Sequence, residues 1–403
     1  MDLKNAKTLC LVMIVRNEEK VIERCLNRVK DHIDYWVIVD TGSDDKTPDL
    51  IQKTLSDIPG ELHHRPWVNF GVNRSESLRF AKGKADYLLL CDADEQIIFS
   101  DKFDSSELME EAYSIGHVGE ETYFVPYLLR GDVNWGYVGV THEFLASDHI
   151  FSKKKLHTLS ILDLQDGGFK HDKFERDIKL LEQGLIDEPN NSRYKYYLAN
   201  SYYNVKNYEK AIEWYKKRIE DGGWIEEVTM AYENLGICYD ELGKKEEALH
   251  YWLEAYDYNP NRLESLYCAV RLLRLNGKQR LGYQLGKIAK EIPYPSEDIL
   301  RVRPQLYTYW IYYELSILAY YGNDSKLGYD CCKHVLLEDP NNDAIVDTTI
   351  KNLHFYKEQA KQDKDYNVNL IIKVISEYIR RYPNCDKGHQ KILEYLTRLV
   401  NKR

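Results

Sequence analysis

The stretch LLLCDADEQ, Leu88–Gln96, decides how the first half of this chain is read. An apolar run stops abruptly at Asp92, Asp94 and Glu95. A run of that length, bounded by turn signals, reads as a buried strand. A strand that ends in three crowded carboxylates needs something to hold them together. Two acids separated by one residue can reach a common divalent cation, and hard oxygen ligands suit magnesium or manganese. A turn with helix-capping acids would also account for the pattern.

Upstream, residues 8–15 (TLCLVMIV) read as a second buried strand. Residues 17–30 follow as an amphipathic helix, with Asn17 as its expected cap and Val21, Ile22, Cys25, Leu26 and Val29 on one face. YWVIVD is a third strand. It leads through TGSDDKT into a helix near 47–56, where Ser43 or Asp45 is the expected cap. Residues 74–85 read as helix and ETYFVPYLL as a further strand. Strand, helix, strand, helix at the start of a chain implies a mainly parallel sheet with flanking helices. Asp40 then lies at a strand's carboxyl end, where open α/β sheets bind ligands. Neither a dinucleotide fingerprint nor a Walker loop is present.

From residue 172 onward helical periodicity takes over. YLANSYYNVKNYEKAIEWY (197–215) and NLGICYDELGKKEEALHYW (234–252) repeat one pattern. Leu198, Ala199, Tyr202, Ala211 and Tyr215 correspond to Leu235, Gly236, Tyr239, Ala248 and Trp252. Weaker units run through 263–294 and 312–340. Small residues at 199, 211, 236 and 248 let two antiparallel helices approach, and large aromatics fill the next layer. Such a hairpin cannot bury its face alone, so the units must stack. The pattern resembles the tetratricopeptide repeat, which implies an extended ligand or subunit pairing.

The chain has 403 residues with 43% hydrophobic and 30% charged, enough for two globular domains. Its net charge of -10 argues against a general nucleic-acid binder. The eight cysteines show no metal-site spacing and read as free thiols. The first residues lack the long apolar core of a signal peptide, and no run approaches a membrane span. The expectation is a cytoplasmic protein.

Four motifs in order, MIVRNEE (13–19), IVDTGSDDKT (38–47), PWVNFGVNRSESL (66–78) and LLLCDADE (88–95), make the chain resemble a family 2 glycosyltransferase with the A-type (GT-A) fold. Within that family it is similar to members carrying tetratricopeptide repeats. The resemblance implies a catalytic domain at 1–180 and a helical repeat domain at 181–403. It implies inverting transfer from a UDP-sugar, with Mn2+ or Mg2+, to a glycan, peptide, protein or lipid-linked hydroxyl. Val15, Arg16 and Glu18 would wall the nucleotide pocket. Asp40 would recognise uracil or ribose, Asp45 matches a later acid of the same loop, and Arg74 would orient acids or touch the diphosphate. Asp92 and Asp94 fall on the metal-binding DxD motif, with Asp94 the expected direct ligand and Asp92 either a second ligand or a contact to the ribose and a metal-bound water. The family's late histidine ligand is replaced here by Asp166 or His171, and Lys170 and Lys173 would face the diphosphate. In WGYVGVTHEFL (135–145), Glu143 is the expected base, with His142 positioning it or lining the donor site, while Trp135 and Tyr137 are candidates either for stacking on a sugar ring or for the core of a lid. The competing reading is a repeat-based scaffold carrying an inactive transferase domain.

Overall fold

The structure is a computed structural model that describes residues 6–118, 124–164, 166–167, 173–338 and 342–402. The chain divides into two compact units, Met1–Val205 and Lys206–Arg403.

The first unit is built on β1 (Leu9–Val15), β2 (Tyr35–Asp40), β3 (Gly60–His64), β4 (Tyr87–Leu90), β5 (Glu95–Phe99), β6 (Ala112–His117), β7 (Phe124–Arg130) and β10 (Lys153–Asp163). They form one mixed, mainly parallel sheet in the order β3-β2-β1-β4-β7-β6-β10-β5. β8 (Trp135–Val138) and β9 (Phe144–Ser147) form a separate antiparallel hairpin. The helices are α1 (Ile22–Val29), α2 (Thr47–Thr54), α3 (Phe70–Ala81), α4 (Lys173–Asp187) and α5 (Ser192–Asn204).

The apolar runs are continuous because both sheet faces are covered. Leu9, Leu11, Met13 and Val15 of β1 pack with Ile22, Cys25 and Leu26 of α1 and Ile51 of α2. The alternate residues Cys10 and Val12 join Leu78 and Ala81 of α3 on the other face. β4 divides in the same way, Tyr87 and Leu89 to one face, Leu88 and Leu90 to the other. Val15 pairs with Asp40, and Val12 pairs with Leu90, so the carboxyl ends of β1, β2 and β4 lie together.

Three local expectations change. Asn17 does not cap α1, which begins at Ile22 after Val21. Asn17 has φ 55° and bonds across to the 43–44 loop: its N–H donates to Ser43 Oγ and its Oδ1 accepts from Asp44 N. α3 starts at Phe70, earlier than residue 74, because Asn69 caps it by accepting from Val72 N. β3 was not anticipated, since GELHH has no apolar run; it is a half-exposed edge strand.

The second unit is all-helical: α6 (Tyr208–Asp221), α7 (Ile225–Glu241), α8 (Lys245–Tyr258), α9 (Glu264–Leu275), α10 (Gln279–Lys290), α11 (Ile311–Tyr321), α12 (Ser325–Leu337), α13 (Asp343–Tyr356), α14 (Asp365–Arg381) and α15 (Lys387–Asn401). The role assigned to its small residues is visible at Gly236, where a Cβ would stand 2.4 Å from the Trp252 indole. Gly328 meets the Tyr356 ring in the same way. Tyr215, Tyr239 and Trp252 of the two clearest units are packed in the interior.

We retain 180/181 as a proposed boundary between the two kinds of sequence. Compactness divides the chain later because α4 and α5 side with the sheet. Arg193 of α5 donates to the His142 carbonyl, and Gly184 of α4 lies against Tyr194 and Val140.

Candidate active site

A cavity of about 240 Å³ opens at the carboxyl ends of β1, β2 and β4. Ile14, Val15, Arg16, Glu18, Thr41, Arg74, Asp92, Asp94, Lys173 and Arg176 contribute to its wall, with Trp67 and Phe70 as its aromatic side. This is the position at which open α/β sheets bind ligands.

The two loops at its rim are tied together. Glu18 N donates to Thr47 Oγ1, Glu19 N to Asp45 Oδ2, and Ser43 Oγ both accepts from Asn17 N and donates to Asp40 Oδ1 at 2.5 Å. Thr47 N–H donates to Asp45 Oδ1. Burial alone would raise the Asp45 carboxyl, but the hydrogen bonds from Thr47 and Glu19 hold it below its ordinary range. Asp40 is buried, with its second oxygen 3.0 Å from His64 Nδ1. Asp40 and Asp45 therefore brace the rim and do not line the cavity.

Arg74 organises the opposite wall. Its Nη2 donates to both Asp92 oxygens at 2.9 Å, and its Nε stands 2.9 Å from Glu143 Oε1. Burial on its own would lower the guanidinium's pKa, yet Asp92 and Glu143 raise it well above its ordinary value. The Tyr137 ring lies 5.9 Å from the guanidinium, whereas Trp135 is buried and donates to the Arg130 carbonyl.

The hairpin loop reaches α3 through a close approach. A Cβ at Gly71 would stand 2.1 Å from the Gly139 carbonyl oxygen, and Phe70 N donates to Val140 O. Ser75 Oγ accepts from Tyr137 N. His142 and Glu143 thus sit in the loop between β8 and β9. His142 has φ 49°, stacks on Tyr197 at 4.0 Å, and places Nε2 3.7 Å from Asp177 Oδ2. Neither His142 nor Glu143 lines the cavity; Glu143 is connected to it by Arg74.

Glu95 is the buried member of the acidic trio. Its Oε2 accepts from Asp92 N and its Oε1 from the Tyr127 hydroxyl. Burial, and then the Asp92 charge, push its carboxyl up to about 8. The answer to the crowding of 92–95 is therefore divided: one acid is buried and favours its proton, one is held by Arg74, and Asp94 lines the cavity.

Asp166 is bound at both oxygens by Arg24, at 2.7 and 2.6 Å. Lys170 and His171 lie outside the described residues. Among the described residues, no three His, Cys, Asp or Glu side chains cluster as a metal cage. Asp92 and Asp94 alone still fit an ion that draws its other oxygens from phosphate and water, as magnesium does with one or two carboxylates.

Sequence reading missed Arg176, Trp67 and Phe70. Trp67 and Phe70 meet edge to face at 4.9 Å, and the Arg176 guanidinium lies 5.0 Å from the Phe70 ring. Lys173 and Arg176 stand three residues apart on the first turn of α4, so helical spacing alone places them on one face.

Residues 10–112 match the family Glycosyl transferase family 2, and residues 230–262 match the Tetratricopeptide repeat. The chain is 26% identical over 242 residues to the SPbeta prophage-derived glycosyltransferase SunS of Bacillus subtilis, covering 55% of each chain. It is 38% identical over 89 residues to a TPR repeat-containing protein of Synechococcus elongatus, covering 22% of this chain and 21% of that one. It thus spans about a fifth and about half of these curated relatives. Among solved structures it is similar to PilF of Pseudomonas aeruginosa at a TM-score of 0.39 and 14% identity, covering 56% of this chain and 91% of that one. The chain carries a family 2 glycosyltransferase domain in its N-terminal part and a tetratricopeptide repeat in its C-terminal part.

Proposed function

We propose that this chain is an inverting, metal-dependent glycosyltransferase. It would move a hexosyl or N-acetylhexosaminyl group from a UDP-sugar to a hydroxyl of a glycan, peptide, protein or lipid-linked acceptor. The observation that carries this reading is Arg74, which lines the cavity, holds Asp92 of the acidic motif and holds Glu143. One side chain thereby couples a leaving-group pocket to a carboxylate suited to take a proton.

In the proposed reaction the acceptor hydroxyl attacks the anomeric carbon. Its new C–O bond forms as the bond to the diphosphate oxygen breaks, and the electron pair leaves with the diphosphate. Glu143 accepts the hydroxyl proton, and Arg74, 2.9 Å away, orients that carboxylate. Arg16, Lys173 and Arg176 bring positive charge to the developing diphosphate. Asp94, with Asp92, would hold Mn2+ or Mg2+, which supplies Lewis-acid stabilisation of the same oxygens when bound. We keep Asp166 and His171 as candidates for a third ligand, and Lys170 as a further diphosphate contact. Val15, Glu18 and Thr41 would contact the nucleoside, with Asp40 and Asp45 shaping the loop beneath it. His142, stacked on Tyr197, positions Glu143.

The helical repeats are proposed to bind a protein partner or a second copy of the chain. Among the described residues no helix is long and apolar enough to cross a membrane. We propose a cytoplasmic location.

The rival reading, a scaffold with an inactive transferase domain, draws on Arg74 and Arg24 engaging Asp92 and Asp166. Calorimetry with UDP and manganese, followed by a panel of UDP-sugars scored for UDP release with water as acceptor, separates the two. Metal-dependent UDP binding that weakens in Asp94→Asn, with release from one sugar, supports the enzyme. Absence of both overturns it.

A further inference from the structure

Connections 242–244, 276–278 and 322–324 are tight, whereas 291–305 between α10 and the turn at Leu306 is long and contains Pro293, Pro295 and Pro304. Helix–helix connections of this kind usually run about 2–8 residues. No residue from 291 to 305 is buried, and Ile299 is 82% exposed.

Beneath this strap lies a set of buried charges. Glu226, Met230 and Glu233 form an i, i+4, i+7 stripe on α7. Arg262 and Glu264 stand at the start of α9, each 1% exposed. These side chains grip the strap mainly by its backbone. Glu226 Oε2 accepts from Ile299 N at 2.9 Å and from Leu300 N at 2.8 Å. Glu264 Oε1 accepts from Arg303 N at 3.0 Å, and Arg262 Nη2 donates to Leu300 O at 3.3 Å. Two side-chain pairs frame the segment, Arg262 with Asp298 and Glu233 with Arg303.

We infer that α7 and the start of α9 form a binding site for an extended peptide, filled here by the chain's own residues 298–303. The recognition is of the kind a bound peptide receives: main-chain donors meet carboxylates, a main-chain acceptor meets an arginine, and an acid and a base at the ends set direction. Ile299 faces solvent and Leu300 and Val302 are only partly buried, so the backbone and the two end charges carry most of the recognition. Its release would return charged groups to water instead of exposing an apolar core, and hydration would offset much of the lost bonding. The site would take a peptide with an acid and a base spaced as Asp298 and Arg303 are. This inference stands independently of the transferase reading.

The test uses the full chain with residues 296–303 replaced by Gly and Ser in equal number. A fluorescein-labelled peptide SEDILRVR is titrated by anisotropy. The expected result is saturable one-site binding at least tenfold tighter than to the unaltered protein. Replacing the peptide's Asp and final Arg by Ala should weaken it at least tenfold. No binding to the folded variant, or equal binding to both proteins, overturns the inference. If the variant does not fold, hydrogen exchange on the unaltered protein decides: amides 299, 300 and 303 should exchange well ahead of the α7 and α9 interiors. Exchange only together with those helices overturns it.

Discussion

The Nε of Arg74 stands 2.9 Å from Oε1 of Glu143, while the same guanidinium donates through Nη2 to both oxygens of Asp92. A planar fork can serve two carboxylates in fixed directions, and a lysine ammonium cannot. Arg74→Lys is expected to preserve the fold, because charge is retained, but to lower kcat about 10- to 100-fold through misplacement of Glu143. Steady-state kinetics beside a thermal melt check this. An unchanged kcat would remove Arg74 from the mechanism.

Removing the proton acceptor without changing its shape gives a sharper separation of binding from chemistry. Glu143→Gln should lose about 10²- to 10⁴-fold in kcat. UDP affinity should be nearly unaltered, because Glu143 does not line the cavity. Equal losses in affinity and turnover would place Glu143 in nucleotide binding instead.

Gly71 sets how closely the β8–β9 loop approaches α3. The atom nearest to an added Cβ is a backbone oxygen at 2.1 Å, which no rotamer change relieves. Gly71→Ala should destabilise the first unit by about 1–3 kcal/mol. It should also lower kcat by about 100-fold as Glu143 moves away from Arg74. Denaturant unfolding and kinetics report the two effects separately. An alanine variant of normal stability and turnover would show that this approach is dispensable.

Glu61 on β3 accepts from the Tyr35 hydroxyl and is within 2.8 Å of His63 Nε2. Its pairing with Lys84, followed by bonds from Tyr35 and His63, outweighs burial and lowers its carboxyl to about 2. A depressed folded pKa means the unfolded chain takes up its proton first as pH falls. The stabilisation is therefore present above the ordinary carboxyl range near 4.5 and is lost as pH falls toward 2. Glu61→Gln should flatten the acid limb of the stability curve in that window and leave transfer activity intact. Equilibrium unfolding across the pH series measures it, and an identical acid limb in the variant would refute it.

Much of this architecture was open to reading from the chain alone. Continuous apolar runs at 9–15 and 87–90 can be satisfied only when both faces are covered, and the paired small and aromatic positions at 236 and 252 require close helix packing. These are properties of local spacing. The edge strand β3 escaped notice because a half-exposed strand carries no apolar signature. Asn17 was misread because its side chain serves a loop distant in sequence rather than the helix that follows it.

Local order along the chain determined that there would be a covered sheet, a stack of helical hairpins, and acids at a strand's carboxyl end. Which of those acids face a cavity was decided only in three dimensions. Asp40 is turned inward to Ser43 and His64, Asp166 is held by Arg24, and Arg176 is brought beside Phe70. The reason is physical: periodicity specifies the face a residue occupies on its own element, whereas partners across the fold depend on how closely backbones can approach, as at Gly71 and Gly139.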